Sequence, residues 1–247
     1  MLTIGVDLAA EPDRTAVARI EWRPDRAVVR EVMCGADDTT ILDAIAQADK
    51  AGIDCPLGWP DAFVAFVAAH HSGHVAVPED AAGRAWRRSL TLRLTDRVVR
   101  QETRLIPLSV AADRIGHVAM RCAGLLACLA SNGQVVDRCG DGVVVEVYPA
   151  ASLRRWGLPH RGYKQKGNTQ ALQRMVDQLL TAAPWLDAGG YEQACRRSHD
   201  AMDAVVAALT ARAASLNLTM PPSAAQSPAA RTEGWIAIPT SPLSDLL

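Results

Sequence analysis

The first part of the chain alternates between apolar runs and short polar breaks. Residues 2–9 form an almost continuous apolar run, typical of a buried strand, and residues 15–22 and 27–33 also have strand-like patterns. Pro12 and Pro24, each followed by an aspartate, indicate turns between these segments. Three strands joined by two short turns predict an antiparallel meander.

Helical spacing replaces the strand patterns in the next part of the chain. Residues 37–50 have apolar positions three and four apart, which predicts a helix that Gly52 ends. Residues 53–57 form a short strand-like run. From about residue 60 to residue 135 the pattern indicates a helical insertion, with a long helix over residues 110–131.

The second half of the chain returns to one strand and several helices. Residues 142–148 are a β-branched run, typical of a strand that is buried on both faces. Residues 221–231 are rich in Pro, Ala and Ser and predict a mobile loop, and residues 234–238 predict a last short strand. Four helices are predicted between these segments, at residues 149–156, 169–182, 191–197 and 198–215.

This order of elements predicts one α/β domain over residues 1–247. We expect a mixed sheet, with an antiparallel three-strand meander, parallel strands and flanking helices. The meander argues against a doubly wound nucleotide-binding fold. The chain also contains no glycine-rich phosphate loop of the P-loop or dinucleotide type.

Composition and net charge exclude few functional classes. Hydrophobic residues make up 49% of the chain, enough for a sizeable core, and the formal net charge is −1. A nucleic-acid role would therefore need a local basic patch. The six cysteines include no C-x-x-C pair, so we expect reduced thiols. No targeting segment and no run of about 20 apolar residues is visible, so we expect a cytoplasmic protein without a membrane partner.

Asp7 is the most unusual polar residue because it interrupts an apolar strand. A buried carboxylate is costly unless it is paired, hydrogen-bonded or bound to a cation. Asp7 is either a cap for the following turn or a metal ligand or general base at the carboxyl end of the sheet. Asp54 and Glu146 occur in similar settings, at or near the ends of apolar runs. Asp200 and Asp203 share one face of a predicted helix, although the helix dipole also favours acids there.

These acids indicate a cation site if the sheet brings them together. Asp7 and Asp54 lie close to each other in a sheet whose first and fourth strands are neighbours. Converging carboxylates repel one another unless a divalent cation neutralises them. Ligation by oxygen alone suits Mg²⁺ or Mn²⁺ rather than zinc.

Basic residues supply local positive charge that the net charge does not reveal. Arginines recur through residues 84–104, among them Arg93, and Tyr163, Lys164 and Lys166 stand in one glycine-flanked segment. Such a set can hold a phosphate group. Each residue taken alone also fits a solvated cationic surface.

Seven short motifs occur in order along the chain. They are Gly5-Val-Asp-Leu-Ala, Asp54-Cys-Pro-Leu-Gly, Arg93-Leu-Thr-Asp, Glu146-Val-Tyr-Pro-Ala, Tyr163-Lys, His199-Asp-Ala-Met-Asp-Ala and Glu233-Gly-Trp-Ile-Ala-Ile-Pro. Through these motifs the chain resembles, over residues 3 to about 239, the family called "domain of unknown function four-twenty-nine". Members of that family are described as predicted nucleases with a ribonuclease H-like fold.

The resemblance implies a set of catalytic and metal-binding acids. In ribonuclease H-like enzymes these acids lie on the first strand, on the fourth strand and on a C-terminal helix. Asp7, Asp54 and Asp203 match those places, which makes them the expected metal ligands. The pair Asp200 and Asp203 is similar to the Holliday-junction resolvase branch, and Glu146 completes the expected catalytic set.

One feature of the related enzymes has no clear counterpart here. Many of them carry a further acid on the first helix, where this chain offers only Asp43. Glu146 and Glu233 are candidates to replace that acid. The remaining motif residues are expected to contact the substrate: Arg93, Asp96, Tyr148, Lys164 and Glu233.

Three functional hypotheses follow from the residues and the resemblance. The first is a nuclease that hydrolyses phosphodiester bonds of DNA or RNA with two Mg²⁺ or Mn²⁺ ions about 4 Å apart. The second is a nucleotide-binding or phosphotransfer protein of the actin-like or kinase-like kind, although residues 9–15 lack a glycine-rich phosphate-binding sequence. The third is a non-catalytic binding module with structural acids. The sequence leaves the choice between nucleic acid and nucleotide, and a homo-oligomeric state, open.

Overall fold

The computed structural model describes residues 1–75, 83–165 and 167–247. Part of the predicted insertion, and Lys166, therefore lie outside the described residues. Within them, six strands form one sheet in the order β5-β4-β1-β2-β3-β6. The strands are β1 (Leu2–Asp7), β2 (Ala16–Trp22), β3 (Ala27–Cys34), β4 (Lys50–Asp54), β5 (Val144–Glu146) and β6 (Leu186–Asp187).

The sheet is mixed, and the predicted meander is confirmed. Strands β1, β2 and β3 pair antiparallel in sequence order. On the other side of β1, strands β4 and β5 run parallel to it, and the two-residue strand β6 adds parallel to β3. The carboxyl ends of β1, β4 and β5 therefore lie at one edge of the sheet.

Ten α-helices flank this sheet in the described residues. None of them is long and apolar enough to cross a membrane. Helices α2 to α5 all lie between β4 and β5 in the chain. The helices are α1 (Asp38–Ala46), α2 (Asp61–His71), α3 (Arg84–Thr91), α4 (Leu94–Thr103), α5 (Gly116–Ser131), α6 (Pro149–Arg155), α7 (Thr169–Ala182), α8 (Glu192–Arg197), α9 (His199–Ser215) and α10 (Ser227–Glu233).

The two faces of the sheet carry separate hydrophobic cores. Ile4 and Val6 of β1 point to one face, where they pack with helices α1 and α5 through residues such as Ile45 and Leu125. The other face packs against α7 and α9, with Ile20 of β2 in its core. The alternation of side chains along each strand explains this division, because successive residues point to opposite faces.

Helix α9 is the most deeply buried helix and contacts β1, β2 and β4. Twelve of its seventeen residues are buried, and most of them are alanine or valine. Glycines on the sheet allow the helix to approach closely: a Cβ on Gly5 would lie 1.9 Å from the Ala204 carbonyl oxygen, and one on Gly52 would lie 2.5 Å from that of Ala207. Small residues on both sides therefore set the distance between helix and sheet.

Two predicted boundaries in the first half of the chain are wrong. The helix predicted over residues 37–50 ends at Ala46, and Lys50 already begins strand β4. Gly52 lies inside that strand rather than after a helix, because close packing against α9 requires a glycine there. The long helix predicted from residue 110 begins only at Gly116.

The C-terminal region also differs from its prediction. The Pro/Ala/Ser-rich segment over residues 221–231 contains the start of helix α10, with a proline in the first helical turn, where proline is well tolerated. The strand predicted over residues 234–238 is reduced to an isolated parallel bridge between Ile236 and Glu146.

The contact between α9 and the sheet generates a stability prediction. We expect Gly5→Ala to lower the free energy of unfolding by about 3 kcal/mol or more, because its methyl group would overlap backbone atoms of α9 that cannot rotate away. Urea unfolding followed by circular dichroism measures this change. The matched control is Gly124→Ala in α5, where an added Cβ meets nothing within 4 Å. The control should gain up to about 1 kcal/mol from helix propensity. Equal stability of the Gly5→Ala variant and the unchanged protein would contradict the packing argument.

Candidate metal centre

Three aspartates converge at the carboxyl ends of β1 and β4. Asp7 and Asp54 are the last residues of these neighbouring parallel strands, and their Cα atoms are direct partners in the register. Asp203 reaches the same place from α9. One carboxylate oxygen of each residue lies within 4.8 Å of those of the other two. The structure therefore brings together the three acids for which a common metal site is expected.

Helix α9 positions Asp203 through its cap and its packing. The Ser198 side chain accepts a hydrogen bond from the Ala201 N–H and fixes the start of the helix. Asp203 follows one turn later and is completely buried. Because Ala204 packs against Gly5 on β1, the helix cannot turn without losing that contact. Asp203 is therefore held toward the strand ends.

Two residues of the segment before α7 hold the Asp203 carboxylate. The Tyr163 hydroxyl donates a hydrogen bond of 2.8 Å to Oδ1 of Asp203. The Lys164 ammonium forms an ion pair with Oδ2 of the same carboxylate. The side chain of Lys164 is 48% exposed, so this residue extends from the protein surface to the buried acid.

The surroundings disfavour negative charge on the two strand-end acids. Burial, followed by the charges of Asp203 and Asp54, raises the pKa of Asp7 well above its usual value. Burial also raises the pKa of Asp54 to about 7, with Lys164 opposing the shift and Asp203 adding to it. A bound cation would therefore favour the ionised forms of these carboxylates.

The donor set fits a hard divalent cation. All three groups offer oxygen atoms, and among the described residues Lys164 is the one cation paired with a carboxylate of this cluster. Mg²⁺ and Mn²⁺ prefer such carboxylate oxygens, whereas zinc sites usually include nitrogen or sulfur ligands. Asp7, Asp54 and Asp203 would hold the ion.

Arg93 forms a second, separate charged cluster. It is completely buried, and its five side-chain N–H groups all donate: to Asp96 through Nε and one Nη, to both oxygens of Glu146, and to the Glu233 carbonyl. The Glu146 carboxylate also accepts from the Leu57 N–H at 3.0 Å. This network links α4, β5 and α10.

The Arg93 network differs from the roles expected for its members. Arg93 and Asp96 were expected to contact substrate, but their hydrogen-bonding groups are used by each other and by Glu146. Glu146 was expected to be catalytic, yet Arg93 neutralises it. Glu233 accepts hydrogen bonds from two backbone N–H groups, those of Asp61 and Leu94. In this arrangement these residues stabilise the wall of the site. The sequence motif does not show this role, because it does not reveal whether its arginine is buried.

Asp200 and Tyr148 lie beside the three aspartates. Asp200 is in the first turn of α9, with Oδ2 3.7 Å from Nε of Arg14 and Oδ1 2.8 Å from Nδ1 of His199. It is not part of the cluster of three. Tyr148 lines the same cleft as Asp7 and Asp54 and remains available to a bound molecule there.

A cleft of about 400 Å³ opens over the carboxylates, and we call it the carboxylate cleft. Residues of the insertion form its other wall, among them Leu108, Arg114 and Ile115. Sequence patterns gave no signal for these residues. The same holds for Arg121 of α5, which donates to the Ala9 carbonyl at 2.8 Å and so fixes the turn that follows Asp7.

Comparison with known proteins gives a family but no activity. A family model described as "Protein of unknown function (DUF429)" matches residues 5–226, a span that includes all three clustered aspartates. No curated protein matches the chain, and no solved structure matches it. The chemistry of the site must therefore be argued from its residues.

The Arg93 network generates a prediction about stability. We expect Arg93→Met to lower the free energy of unfolding by about 3–5 kcal/mol, because it leaves Asp96 and Glu146 buried without their cation. Adding Glu146→Gln should recover part of that loss. Chemical unfolding of both variants measures the difference.

The control for that measurement is an exposed arginine of the same helix. Arg100→Met should change the stability by no more than about 0.5 kcal/mol. If Arg93→Met costs as little as Arg100→Met, the network does not stabilise the fold.

Proposed function

The chain belongs to the family of proteins of unknown function DUF429, and on that premise we propose that it is a divalent-metal-dependent nuclease with a ribonuclease H-like fold. Its substrate is DNA or RNA, in which it hydrolyses phosphodiester bonds. The observation that carries this proposal is the convergence of Asp7, Asp54 and Asp203 within 4.8 Å of one another at the carboxyl end of the sheet.

The sheet topology supports the fold assignment. A three-strand antiparallel meander is followed by two strands parallel to β1, and these add on the side of β1 away from the meander. Asp7 lies on the first strand, Asp54 on the fourth and Asp203 on a C-terminal helix. Ribonuclease H-like nucleases carry their acids on the same elements.

The charges at the site favour one divalent cation rather than the two expected from the resemblance. The three carboxylates carry three negative charges when ionised, and the Lys164 ammonium offsets one of them. The two that remain equal the charge of a single Mg²⁺ or Mn²⁺ ion. Glu146 adds no free charge, because Arg93 pairs with it.

The residues of the site have different roles in the proposed hydrolysis. A bound divalent ion would polarise a phosphoryl oxygen and lower the pKa of water. Asp7, Asp54 and Asp203 would hold that ion, and Tyr163 orients Asp203 by a hydrogen bond. Lys164, whose side chain is half exposed and lines the cleft, is placed to attract a phosphate oxygen of the substrate.

The carboxylate cleft provides room for a nucleotide beside the acids. Its wall is apolar at Leu108, Ile115 and Val118, and it is basic at Arg114. An apolar wall suits a base, and an exposed arginine suits a phosphate. Because Arg93 is fully used by its acids, Lys164 and Arg114 take the substrate-binding role that the motif suggested for Arg93.

Metal binding is the first prediction of this proposal. We expect calorimetric titration with Mn²⁺ to give one ion per chain, and Mn²⁺ to raise the melting temperature. Asp7→Asn should abolish both effects. In the presence of a chelator this variant should melt no lower than the unchanged protein, because one repelling charge is removed.

A carboxylate outside the cluster provides the matched control for metal binding. Asp43 is exposed on α1, so Asp43→Asn should bind Mn²⁺ as the unchanged protein does. A stoichiometry of two would contradict the single-ion argument. A melting temperature insensitive to Mn²⁺ and Mg²⁺ would favour a binding module with structural acids.

Catalysis is the second prediction. We expect the purified protein to cleave labelled single-stranded or double-stranded DNA or RNA when Mg²⁺ or Mn²⁺ is present. Asp7→Asn and Asp203→Asn should each lower the rate by about 10³-fold or more. The loss of one member of a catalytic unit disables the whole unit, so each single substitution has a large effect. Asp43→Asn should keep the full rate. Cleavage that persists in Asp7→Asn, or in the presence of a chelator, would contradict the proposed metal-dependent nuclease activity.

A further inference from the structure

A second cleft lies on the other side of Lys164 from the carboxylates. It has a volume of about 540 Å³, and Tyr163 and Lys164 form part of its lining. Lys164 lines both this cleft and the carboxylate cleft. The two clefts therefore meet at Lys164.

Among the charged residues that line this second cleft, basic side chains outnumber acidic ones. Arg14, Lys164 and Arg197 line it together with His199, and Asp200 is the one acid among its described lining residues. The Arg14 side chain is 64% exposed, and Nε lies 3.7 Å from Asp200. Arg197 is also exposed and forms no ion pair with any described residue. In a chain with a net charge of −1 this is a local excess of positive charge.

Two long helices begin at the same cleft. Asn168 caps the fourteen-residue helix α7, Ser198 caps the seventeen-residue helix α9, and both caps line the cleft. The side chain of each cap accepts from the N–H three residues later, at Ala171 and Ala201. The earlier N–H groups of a first turn have no partner within the helix, so both helix starts add partial positive charge to that of the arginines.

We infer that this second cleft binds a phosphodiester group of a nucleic-acid strand, next to the bond that is cut at the aspartates. The inference rests on the proposed nuclease function and deepens it. On this inference one phosphate lies at Lys164 and a neighbouring phosphate of the same strand lies at Arg14 and Arg197. The substrate is then a polynucleotide strand that contacts both clefts.

A binding experiment without cleavage tests the inference. We would measure fluorescence anisotropy of a labelled single-stranded oligonucleotide of about 12 nucleotides, with a chelator present to prevent hydrolysis. Arg14→Gln and Arg197→Gln should each weaken binding about fivefold at 0.1 M salt and lower the salt slope by about 0.7, as the loss of one phosphate contact does. Arg100→Gln, an exposed arginine on α4, should bind normally.

A small diester separates this inference from the proposed function. Bis(p-nitrophenyl) phosphate reaches the aspartates but not the second cleft. Its Mn²⁺-dependent hydrolysis should be unchanged in Arg197→Gln, while kcat/KM for the oligonucleotide should fall, mainly through KM. If neither diester is cleaved but both arginine variants still weaken binding, the nuclease proposal fails and the strand-binding cleft stands.

Two results would overturn the strand-binding cleft itself. One is normal oligonucleotide binding by Arg14→Gln and Arg197→Gln, whatever the nuclease activity. The other is competition in which inorganic phosphate displaces the oligonucleotide at a similar concentration of phosphate groups, since that result would indicate a site for free phosphate.

Discussion

The close packing of α9 on the sheet is the contact on which the rest of the structure depends. Gly5 and Gly52 leave room for the helix backbone, and the small residues of α9 use that room. The approach buries most of the helix and fixes its rotation. Asp203 consequently faces the ends of β1 and β4, where Asp7 and Asp54 lie. A packing constraint therefore creates the acidic cluster, and any larger residue at Gly5 would separate its members.

The free-energy cost of burying charge is offset differently in the Arg93 network and in the cluster around Asp203. Around Arg93 the protein supplies its own cation and uses all five of its N–H groups, so the cluster is complete. Around Asp203, Lys164 is the one cation that the described part of the chain supplies, and the pKa values of Asp7 and Asp54 are raised. The first cluster holds α4, β5 and α10 together. The second is short of positive charge and faces a cleft, which is the arrangement that a divalent cation completes.

Sequence reasoning found the meander and the three clustered aspartates because both leave local signals. An acid at the end of an apolar strand is conspicuous in any sequence. Gly52 was misread as the end of a helix, since glycine marks both helix ends and close contacts, and the contact with α9 is not local. The motif around Arg93 shows its pairing with nearby Asp96 but not its burial, because Glu146 and the Glu233 carbonyl, which complete its hydrogen bonds, are distant in the sequence. Residues such as Arg114 gave no signal, because the fold alone brings the insertion to the cleft.

Lys164 connects the electrostatics of the site to the choice of substrate. Its ammonium pairs with buried Asp203, yet its side chain is half exposed and borders both clefts. A phosphate that approaches it meets acids on one side and the arginines of the second cleft on the other. The acids repel an anion until a cation is bound, whereas Arg14 and Arg197 attract it at all times. A near-neutral net charge is thus compatible with nucleic-acid binding, because the charges are separated in space and Lys164 lies at their boundary.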